Sequence, residues 1–568
     1  MNQSDRIAVY WNEKVELNRI IDPLGLAGLR VHQGLFFPGF NTQTQRAYYY
    51  SFLPWAWKKI EENRLDSSFI KNLEKLMILS SEHLSLSQSL TTEGINSNTR
   101  ARSFLEKNDS FSISDFHLLG SGDYQGYGNQ RYKTPISNMY IMWGEDSGKK
   151  IFTPLAIKIA KSFDKKLDFD FQFLRKEKFS KGDLTKLKNL GVNSLNGNEL
   201  EKDLLKKVFF GFVTELDDKC DINEEGYSTF MTGEGIKLNF ELDVTLTKED
   251  IYQESGEDIN FEDKSDKERA RERIISRRAS LFLLLKIIDS CDIKKAQFEM
   301  ITSLRNCVLY KQAKINNELK KIDFGELEQI RKYWELYFHN IYFTFCMELL
   351  LEKIINLLEK YPFGIKIPDL LKYMDSDKIV NKFRENSLNT KDVETNIGLL
   401  KNPKLNSKIN EFNLYESLVH SSGTFEEDLY RIILLLILLN SRSRTFDDEQ
   451  RQFIKIKEEN ELFTPEKIYQ LMKNASLSNF IYLLIEEVMK WHYKTAIMKL
   501  RYNNTKAFLF VKENDLIEAY ENKFSANRYR DYIWGNMYSI LEDIGLIQVK
   551  NDVYGLTEEG KKWLSKIK

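Results

Sequence analysis

Apolar positions recur with helical spacing over most of the second half of the chain. Ser265 and Glu268 form a capping box, and "DKERARERIISRRASLFLLLKIIDS" follows without a helix breaker. The same periodicity of about 3.6 residues returns in 296–320, 325–360, 426–440 and 477–500, with polar connectors between these segments. The pattern predicts a helical domain over residues 264–500.

The pattern of the first half is more irregular. Residues 1–150 are rich in aromatic side chains and interrupted by Gly and Pro, which predicts a separate N-terminal domain. Further on, "KKVFFGFVTEL" and "IKLNFELDVTL" alternate between apolar and polar positions, as short strands do. Residues 249–263 carry seven acidic residues and no basic one, which indicates an exposed linker. We therefore predict a small mixed α/β segment over 151–263 that ends in this linker.

The last seventy residues contain the clearest local signals. "SANRYRDYIWGNMYSILEDIGLI" predicts an amphipathic helix that ends at Gly545, and "IQVKNDVYGLT" predicts a hairpin with an Asn-Asp turn. The preceding "KAFLFVKENDLIEAYENKF" predicts a short strand and a helix. This order of elements, with the ending "LEDIGLIQV…YGLTEEGKKWL", resembles the winged helix-turn-helix superfamily. The expected fold is mainly α and multi-domain, with a winged helix-turn-helix at 501–568.

The segment "FFPGFNTQTQRAYYYSFLPWAWKKI", residues 36–60, has two interpretations. Thr42 and Gln45 form a second capping box, so a helix is expected to begin there, and Pro54 is expected to kink or restart it. Apolar side chains point in all directions around this helix, which is typical of a buried one. The alternative is a nucleic-acid or partner surface on which Arg46 and Tyr48 help aromatic side chains to stack single-stranded bases.

Composition and charge restrict the function classes. A hydrophobic content of 42%, with 9 Pro and 27 Gly, excludes a disordered chain and favours long helices. The net charge of −1 gives no global attraction to nucleic acid or anionic lipid, so such binding needs local patches. Four scattered cysteines without a CxxC pair predict neither a disulfide framework nor a zinc site. We expect a cytoplasmic protein, because no signal peptide is evident and the longest apolar run, "IILLLILL", is too short to cross a bilayer.

Basic residues of the predicted winged helix are the first candidates for DNA contacts. Arg528 and Arg530 lie early on the predicted recognition helix, where base and phosphate contacts are usual. Lys550 lies on the predicted wing, beside the turn. Winged helices also dock on protein partners, and the aromatic residues nearby suit that role as well.

A basic run and a glycine-rich loop provide further candidates. The run "KSDKERARERIISRR" at 264–278 contains Arg271, Arg277 and Arg278, which either contact phosphates or pair with carboxylates of the run and the linker. The loop "GSGDYQGYG" has a glycine spacing one residue too long for a dinucleotide fingerprint. It predicts a surface loop, with Arg131 and Lys133 as phosphate contacts.

Acidic clusters are the only sequence feature that suggests catalysis. Two groups have the residue types of a Mg²⁺-dependent nuclease without its usual spacing: Asp168, Asp170, Glu177 and Lys178, and Glu241, Asp243 and Lys248. Such groups also arise as solvated faces in a chain with 84 acidic residues. No catalytic residue, metal site or cofactor is predicted.

The N-terminal motifs resemble a known set of proteins. "DPLGLAGLRVHQGLFFPGFNTQTQRAYYYSFLPWAW" and "GSGDYQGYGNQRYKTPISNMY" are similar to sequences of a loosely defined group of uncharacterised bacterial proteins. Genes of this group often lie in anti-phage defence or mobile islands, beside helicases, nucleases or ATPases. Gln45 departs from the group's pattern, in which Thr or Arg is usual nearby. The resemblance implies a defence setting and assigns no catalytic residue.

Together these patterns predict a non-catalytic DNA-engaging or scaffolding subunit of a multi-component defence system. Its expected partners are double-stranded DNA and a helicase, nuclease or ATPase encoded nearby. No membrane is expected among its partners. Two alternatives stay open: a divergent metal-dependent nuclease with carboxylates from 168–263, or a protein–protein adaptor that docks through the winged helix.

Overall fold

The structure is a computed structural model, and it describes the greater part of the chain. The described residues are 23–24, 26, 40, 45–88, 95, 97–118, 139, 142–144, 150–152, 154–210, 266–295, 297–315, 318–366, 368–370, 376–401, 407–452, 463–503, 508–513, 516–520, 524–526 and 532–565. None of the described helices is both long and apolar enough to span a membrane.

Helices dominate the described residues, as the periodicity predicts. They are α1 Tyr49–Glu62, α2 Phe69–Gln88, α3 Asn98–Lys107, α4 Pro154–Lys166, α5 Lys181–Lys186, α6 Glu199–Phe210, α7 Asp266–Ser290, α8 Gln297–Tyr310, α9 Glu328–Leu358, α10 Ser376–Glu385, α11 Thr395–Leu399, α12 Glu411–Val419, α13 Phe425–Ser443, α14 Asp448–Gln452, α15 Pro465–Leu471, α16 Leu477–Asn503, α17 Tyr532–Asp543 and α18 Glu558–Leu564. Short 3₁₀ segments lie at Ile113–Asp115, Phe171–Arg175, Lys188–Leu190, Val192–Gly197 and Gly325–Leu327.

The strands are short, and every described pairing is antiparallel. They are β1 Ser110–Ser112, β2 Met142–Gly144, β3 Lys150–Phe152, β4 Lys178–Ser180, β5 Ile293–Lys294, β6 Gln312–Ile315, β7 Glu318–Lys321, β8 Ile365–Lys366, β9 Phe510–Glu513, β10 Leu516–Ala519, β11 Ile547–Lys550 and β12 Val553–Leu556. Three pairs, β1–β4, β2–β3 and β6–β7, form two-stranded sheets. Two sheets have three strands, in the orders β8–β10–β9 and β11–β12–β5. The prediction of a mainly helical protein with a small β content is confirmed.

Several predicted elements differ from the observed ones. The residues of "KKVFF" end helix α6 instead of forming a strand, because Leu204, Leu205, Val208 and Phe209 bury one face at helical spacing. The helix predicted over 296–320 ends at Tyr310, and the chain continues as the β6–β7 hairpin. The helix predicted after β9 is instead strand β10. The strand prediction at "IKLNFELDVTL" lies outside the described residues.

The chain divides into two compact units that are not consecutive in sequence. The composite unit consists of His32–Val244, Phe261–Trp334 and Arg530–Lys568. The inserted unit consists of Glu335–Tyr529 with Met1–Val31 and Thr245–Asn260. These two units do not follow the boundaries predicted at 150, 263 and 500, because residues far apart in sequence pack into the same unit.

The aromatic segment at 48–57 forms part of the composite unit's core. Helix α1 begins at Tyr49 and not at Thr42, and it continues through Pro54 without a break. The side chains from Tyr48 to Trp57 are all buried, so packing on every side outweighs the hydrogen bond that proline removes. Polar atoms find partners there: the Trp55 Nε1–H donates to Asp164 Oδ1 at 2.9 Å. Of the two interpretations of this segment, the buried helix is confirmed.

Two buried histidines stabilise the inserted unit in their neutral form. His492 of α16 donates through Nδ1 to the carbonyl of Pro23 at 3.0 Å, and its Nε2 accepts from the main-chain N–H of Leu509 at 2.9 Å. His339 of α9 is fully buried, and its Nε2 lies 2.7 Å from the Tyr469 hydroxyl. Burial lowers the pKa of each imidazole to about 4. Both rings are therefore uncharged at neutral pH.

We expect the inserted unit to lose stability as the pH falls from about 6.5 towards 4. The unfolded chain binds protons in this range, whereas the buried imidazoles do not, so acid favours unfolding. Each histidine should lower the free energy of unfolding by roughly 2 kcal/mol when the pH falls from 7 to 5. Urea denaturation of His492→Gln and of the wild type at both pH values measures this cost. The exposed His420→Gln is the matched control. If His492→Gln lost as much stability between pH 7 and 5 as the wild type does, the assignment of His492 would be wrong.

Candidate nucleic-acid interface

Two distant segments of the composite unit build one small module. Helix α7, strand β5 and helix α8 come from 266–310, and helix α17 with strands β11 and β12 comes from 532–556. Strand β12 pairs with both β11 and β5, with Val553 opposite Lys550 on one side and opposite Lys294 on the other. We call these six elements the two-segment module. All of residues 311–531 lie between its second and third helices in sequence.

Local sequence signals explain the second segment of this module. Gly545 has a φ of 77°, the left-handed conformation that ends helix α17. Asn551 and Asp552 also have positive φ, 51° and 60°, as a two-residue hairpin turn of type I′ requires. After the hairpin, Thr557 caps α18 by accepting from the N–H of Gly560 at 3.0 Å. The helix end at Gly545 and the Asn-Asp hairpin, both predicted, are confirmed.

Helix α17 is largely buried against its own unit. Trp534, Met537, Tyr538, Ile540 and Leu541 have no measurable exposure. The indole of Trp534 lies against that of Trp334, at a centroid distance of 4.1 Å. The less buried positions include Gly535, Ser539 and Glu542, and the helix contains no basic residue. Its described residues therefore offer little positive charge to a nucleic acid.

Exposed lysines lie instead on the sheet of the two-segment module. Lys550, Val553 and Lys294 form one row across the three strands, so their side chains share a face of the sheet. Lys550, Lys294 and Lys295 are all exposed. The N–H of Lys295 donates to the carbonyl of Asp552 in the hairpin turn at 2.8 Å, which fixes this lysine beside the turn. We call Lys294, Lys295 and Lys550 the wing lysines, after the wing that the sequence predicts at the β11–β12 hairpin.

The structure joins one predicted DNA-binding residue to two that the sequence did not suggest. Lys550 is exposed, as its position beside the turn predicts. Lys294 and Lys295 were missed because a two-residue strand has no periodicity, and its pairing with β12 links positions about 260 residues apart. Arg528 and Arg530 lie outside the described residues, directly before α17, so their role stays a prediction.

Arg277 and Arg278 are interior residues, which corrects their assignment to a phosphate-binding surface. Both are fully buried. Arg277 donates to the carbonyls of Phe209 at 2.8 Å and Val208 at 3.2 Å, and Arg278 donates to the carbonyl of Phe210 at 2.7 Å. Both arginines thus bind the last carbonyls of helix α6, where a cation also interacts favourably with the helix dipole. The side chain of Arg271, on the same helix, lies outside the described residues.

Arg46 and Tyr48 are also interior residues, so their assignment to a nucleic-acid or partner surface is wrong. The Tyr48 hydroxyl donates to the carbonyl of Leu190 inside the core. The Arg46 guanidinium binds the Asp543 carboxylate through Nε at 2.9 and 3.0 Å and through Nη2 at 2.8 Å. The N–H of Ala47 donates to the same carboxylate at 2.9 Å. Burial alone would lower the pKa of Arg46, but Asp543 outweighs it and the pKa is raised.

The remaining candidates give no described site. Arg131 and Lys133 lie outside the described residues, as does the group of Glu241, Asp243 and Lys248. In the other acidic group, Asp168, Asp170 and Glu177 are exposed, and Asp170 caps a 3₁₀ segment by accepting from the N–H of Gln172. Within the part of the chain that the structure describes, no three His, Cys, Asp or Glu side chains gather to hold a metal ion.

Comparison with known proteins returned no similarity. No family model matches the chain, and neither a curated protein nor a solved structure matches it.

The buried pair of Arg46 and Asp543 yields a stability prediction. Arg46→Ala should destabilise the composite unit by about 3–5 kcal/mol, because it leaves the Asp543 carboxylate buried without its cation. The double variant Arg46→Met/Asp543→Leu should recover much of this loss, since no buried charge remains. Urea denaturation measures both. Lys58→Ala, which removes a partly exposed ion pair with Glu62 on the same helix segment, is the control and should change little.

Proposed function

We propose that this protein is a non-catalytic, DNA-engaging subunit of a multi-component bacterial anti-phage defence system. It would hold duplex DNA through phosphate contacts and present it to a separate enzyme. The observation that supports DNA binding is the group of wing lysines, of which Lys294 and Lys550 lie in one row across the sheet of the two-segment module and Lys295 lies beside the hairpin turn. Lysine ammonium groups at the surface bind phosphates and release counterions, whatever the base sequence.

The proposal includes a winged helix that is interrupted in sequence. A winged helix has the order helix, strand, helix, helix, strand, strand, and its first strand pairs with the last. Helix α7, strand β5, helix α8, helix α17 and the β11–β12 hairpin follow this order, and β5 pairs with β12. On this interpretation α17 is the recognition helix, the hairpin is the wing, and residues 311–531 are an insertion between the second and third helices.

Phosphate contact accounts for the distribution of charge better than base recognition does. Helix α17 contributes no basic side chain, and its less buried residues are small or acidic. Arg528 and Arg530 would add positive charge just before its first turn, where recognition helices approach DNA. Asp292 and Asp552 are exposed near the wing lysines, so the local excess of positive charge is small. We therefore expect moderate affinity with a marked dependence on salt.

The defence setting depends on the resemblance of the N-terminal motifs to proteins encoded in defence islands. In that setting a helicase, nuclease or ATPase from a neighbouring gene would carry out the chemistry in the cytoplasm. The buried aromatic segment that carries much of the resemblance would then serve the core of the composite unit, while partner contacts would come from other surfaces.

One observation favours an adaptor as the second candidate. Helix α17 buries most of its side chains, which leaves a narrow face for the major groove. A winged helix with a buried third helix can dock on a protein partner through its wing. The nuclease alternative has no comparable support among the described residues and would have to use Glu241, Asp243 and Lys248.

Replacing the wing lysines should weaken duplex binding without changing stability. For Lys294→Ala/Lys295→Ala/Lys550→Ala we expect the slope of log K against log salt to fall by up to about 2.7, at about 0.9 per phosphate contact. Fluorescence anisotropy with a labelled duplex at several salt concentrations measures this slope.

A variant of three other exposed lysines of the same unit, Lys188→Ala/Lys320→Ala/Lys321→Ala, is the matched control. If Lys294→Ala/Lys295→Ala/Lys550→Ala left the slope of log K against log salt unchanged, the proposed phosphate contacts would be wrong. Absence of duplex binding by the wild type would favour the adaptor. Mg²⁺-dependent shortening of the DNA that is lost in Asp243→Ala would favour the nuclease.

A further inference from the structure

We propose that Cys291 and Cys307 form an oxidation site, in which a peroxide converts the two thiols into a disulfide. Both residues belong to the first segment of the two-segment module: Cys291 follows the last residue of helix α7, and Cys307 lies in helix α8. The sequence does not indicate this pair, because the two cysteines are 16 positions apart and form no CxxC motif. The inference concerns a covalent bond, so it does not rest on the DNA binding proposed above.

The two sulfur atoms are already neighbours in the folded protein. Sγ of Cys291 lies 3.6 Å from Sγ of Cys307. A disulfide has an S–S length of about 2.0 Å, so the sulfurs need to approach each other by roughly 1.6 Å. The chain between them is held at the sheet, because β5 pairs with β12 and the N–H of Lys295 donates to the carbonyl of Asp552 at 2.8 Å. The fold therefore keeps the two thiols together.

Exposure and hydrogen bonding give the two thiols different roles. Cys291 is 7% exposed and Cys307 only 1%, so a small oxidant from the solvent meets Cys291 first. The Cys291 thiol donates to the carbonyl of Ile287 at 2.8 Å, which leaves the Cys307 thiol as the donor between the two sulfurs. This hydrogen bond and burial raise the pKa of Cys307 well above its usual range. Cys307 thus keeps its proton and reacts second.

The reaction has two steps that balance. In the first step the sulfur of Cys291 attacks hydrogen peroxide: an S–O bond forms, the O–O bond breaks, and the thiol proton leaves with the departing hydroxide as water. In the second step the sulfur of Cys307 attacks the sulfur of the Cys291 sulfenic acid. An S–S bond forms, the S–O bond breaks, and the proton of Cys307 leaves with the hydroxyl group as a second water. The two thiols lose two electrons, which reduce one peroxide to two waters.

A buried hydroxyl close to both thiols suits the sulfenic acid intermediate. Tyr538 of α17 has no measurable exposure, and its hydroxyl has no hydrogen-bond partner among the residues that the structure describes. Burial raises the pKa of Tyr538 well above its usual range, and the nearby Cys291 and Cys307 raise it further, so this phenol stays protonated. A buried donor without an acceptor is unfavourable. The oxygen of a sulfenic acid supplies an acceptor that a thiol lacks.

The bond would change the stability of the composite unit. It would close a loop from 291 to 307, which contains strand β5 and two of the wing lysines. Such a bond removes conformations from the unfolded chain, so the oxidised protein should unfold at a higher urea concentration than the reduced one. Dithiothreitol should reverse the shift. In a reducing compartment the disulfide would be transient and would act as a redox signal.

The test is oxidation of the folded, full-length protein with hydrogen peroxide. The remaining thiols are alkylated, and the protein is digested with trypsin without reductant and measured by mass spectrometry. Cleavage after Lys and Arg places Cys291 in the peptide 287–294 and Cys307 in the peptide 306–311. We expect these two peptides to be linked and to separate with dithiothreitol. If both were recovered unlinked, as thiols or as sulfinic acids, the proposal would be wrong.

The other cysteines provide controls within the same chain. Cys346 is fully buried, and burial raises its pKa, so it should stay a thiol while the pair is oxidised. The same oxidation in urea, where the fold no longer holds the pair together, should also give links to Cys346 and Cys220. A comparable mixture of pairings in the folded protein would overturn the proposal.

Two variants test the order of the steps. In Cys307→Ala the sulfenic acid of Cys291 has no second thiol, so dimedone, which reacts with sulfenic acids, should label the peptide 287–294. In Cys291→Ala dimedone should leave the peptide 306–311 unlabelled. Cys346→Ala is the matched control and should form the same link as the wild type. Labelling of Cys307 but not of Cys291 would contradict the assigned roles, and the wild-type peptide map tests the bond itself without any variant.

Discussion

The composite unit depends on buried arginines that join segments far apart in the chain. Arg46 binds Asp543 across 497 residues, at the point where helix α17 ends. A carboxylate at a helix C-terminus is unfavourable beside the helix dipole, so Asp543 needs a cation close by. Arg277 and Arg278 play a comparable part when they bind the last carbonyls of α6. The planar guanidinium of Arg46 binds both oxygens of one carboxylate and that of Arg277 binds two carbonyls, which an ammonium group would do less well.

The composite unit is built from segments that lie before and after the inserted unit in sequence. The hairpin β11–β12 completes its sheet only by pairing with β5, which precedes the inserted unit in sequence. Removing the residues after 500 would therefore not delete an independent C-terminal domain. It would remove two strands of a three-stranded sheet, the helix α17 and the partner of Arg46, and would leave apolar faces of α7 and α8 without their cover. Point substitutions on the surface are the better way to separate function from folding in this unit.

Local features could be predicted from the sequence, whereas long-range pairings could not. The helices α9, α13 and α16 follow from their apolar periodicity, and the Asn551-Asp552 turn follows from turn chemistry. The hairpin β9–β10 was missed although the polar "END" between alternating segments indicates a turn. By contrast, nothing in the basic run at 264–278 indicates that its arginines meet the end of α6. The wing lysines likewise could not be predicted as a group, because only the pairing of β5 with β12 brings them together.

The distribution of arginine and lysine links the fold to the proposed functions. Arg46, Arg277 and Arg278, which looked like nucleic-acid contacts in the sequence, are part of the core. The surface proposed to bind duplex DNA uses lysines instead. Because the whole chain has a net charge of −1, this surface gains nothing from a global field, and it must attract phosphates over a distance of about one Debye length. Binding there should therefore be short-ranged and sensitive to salt.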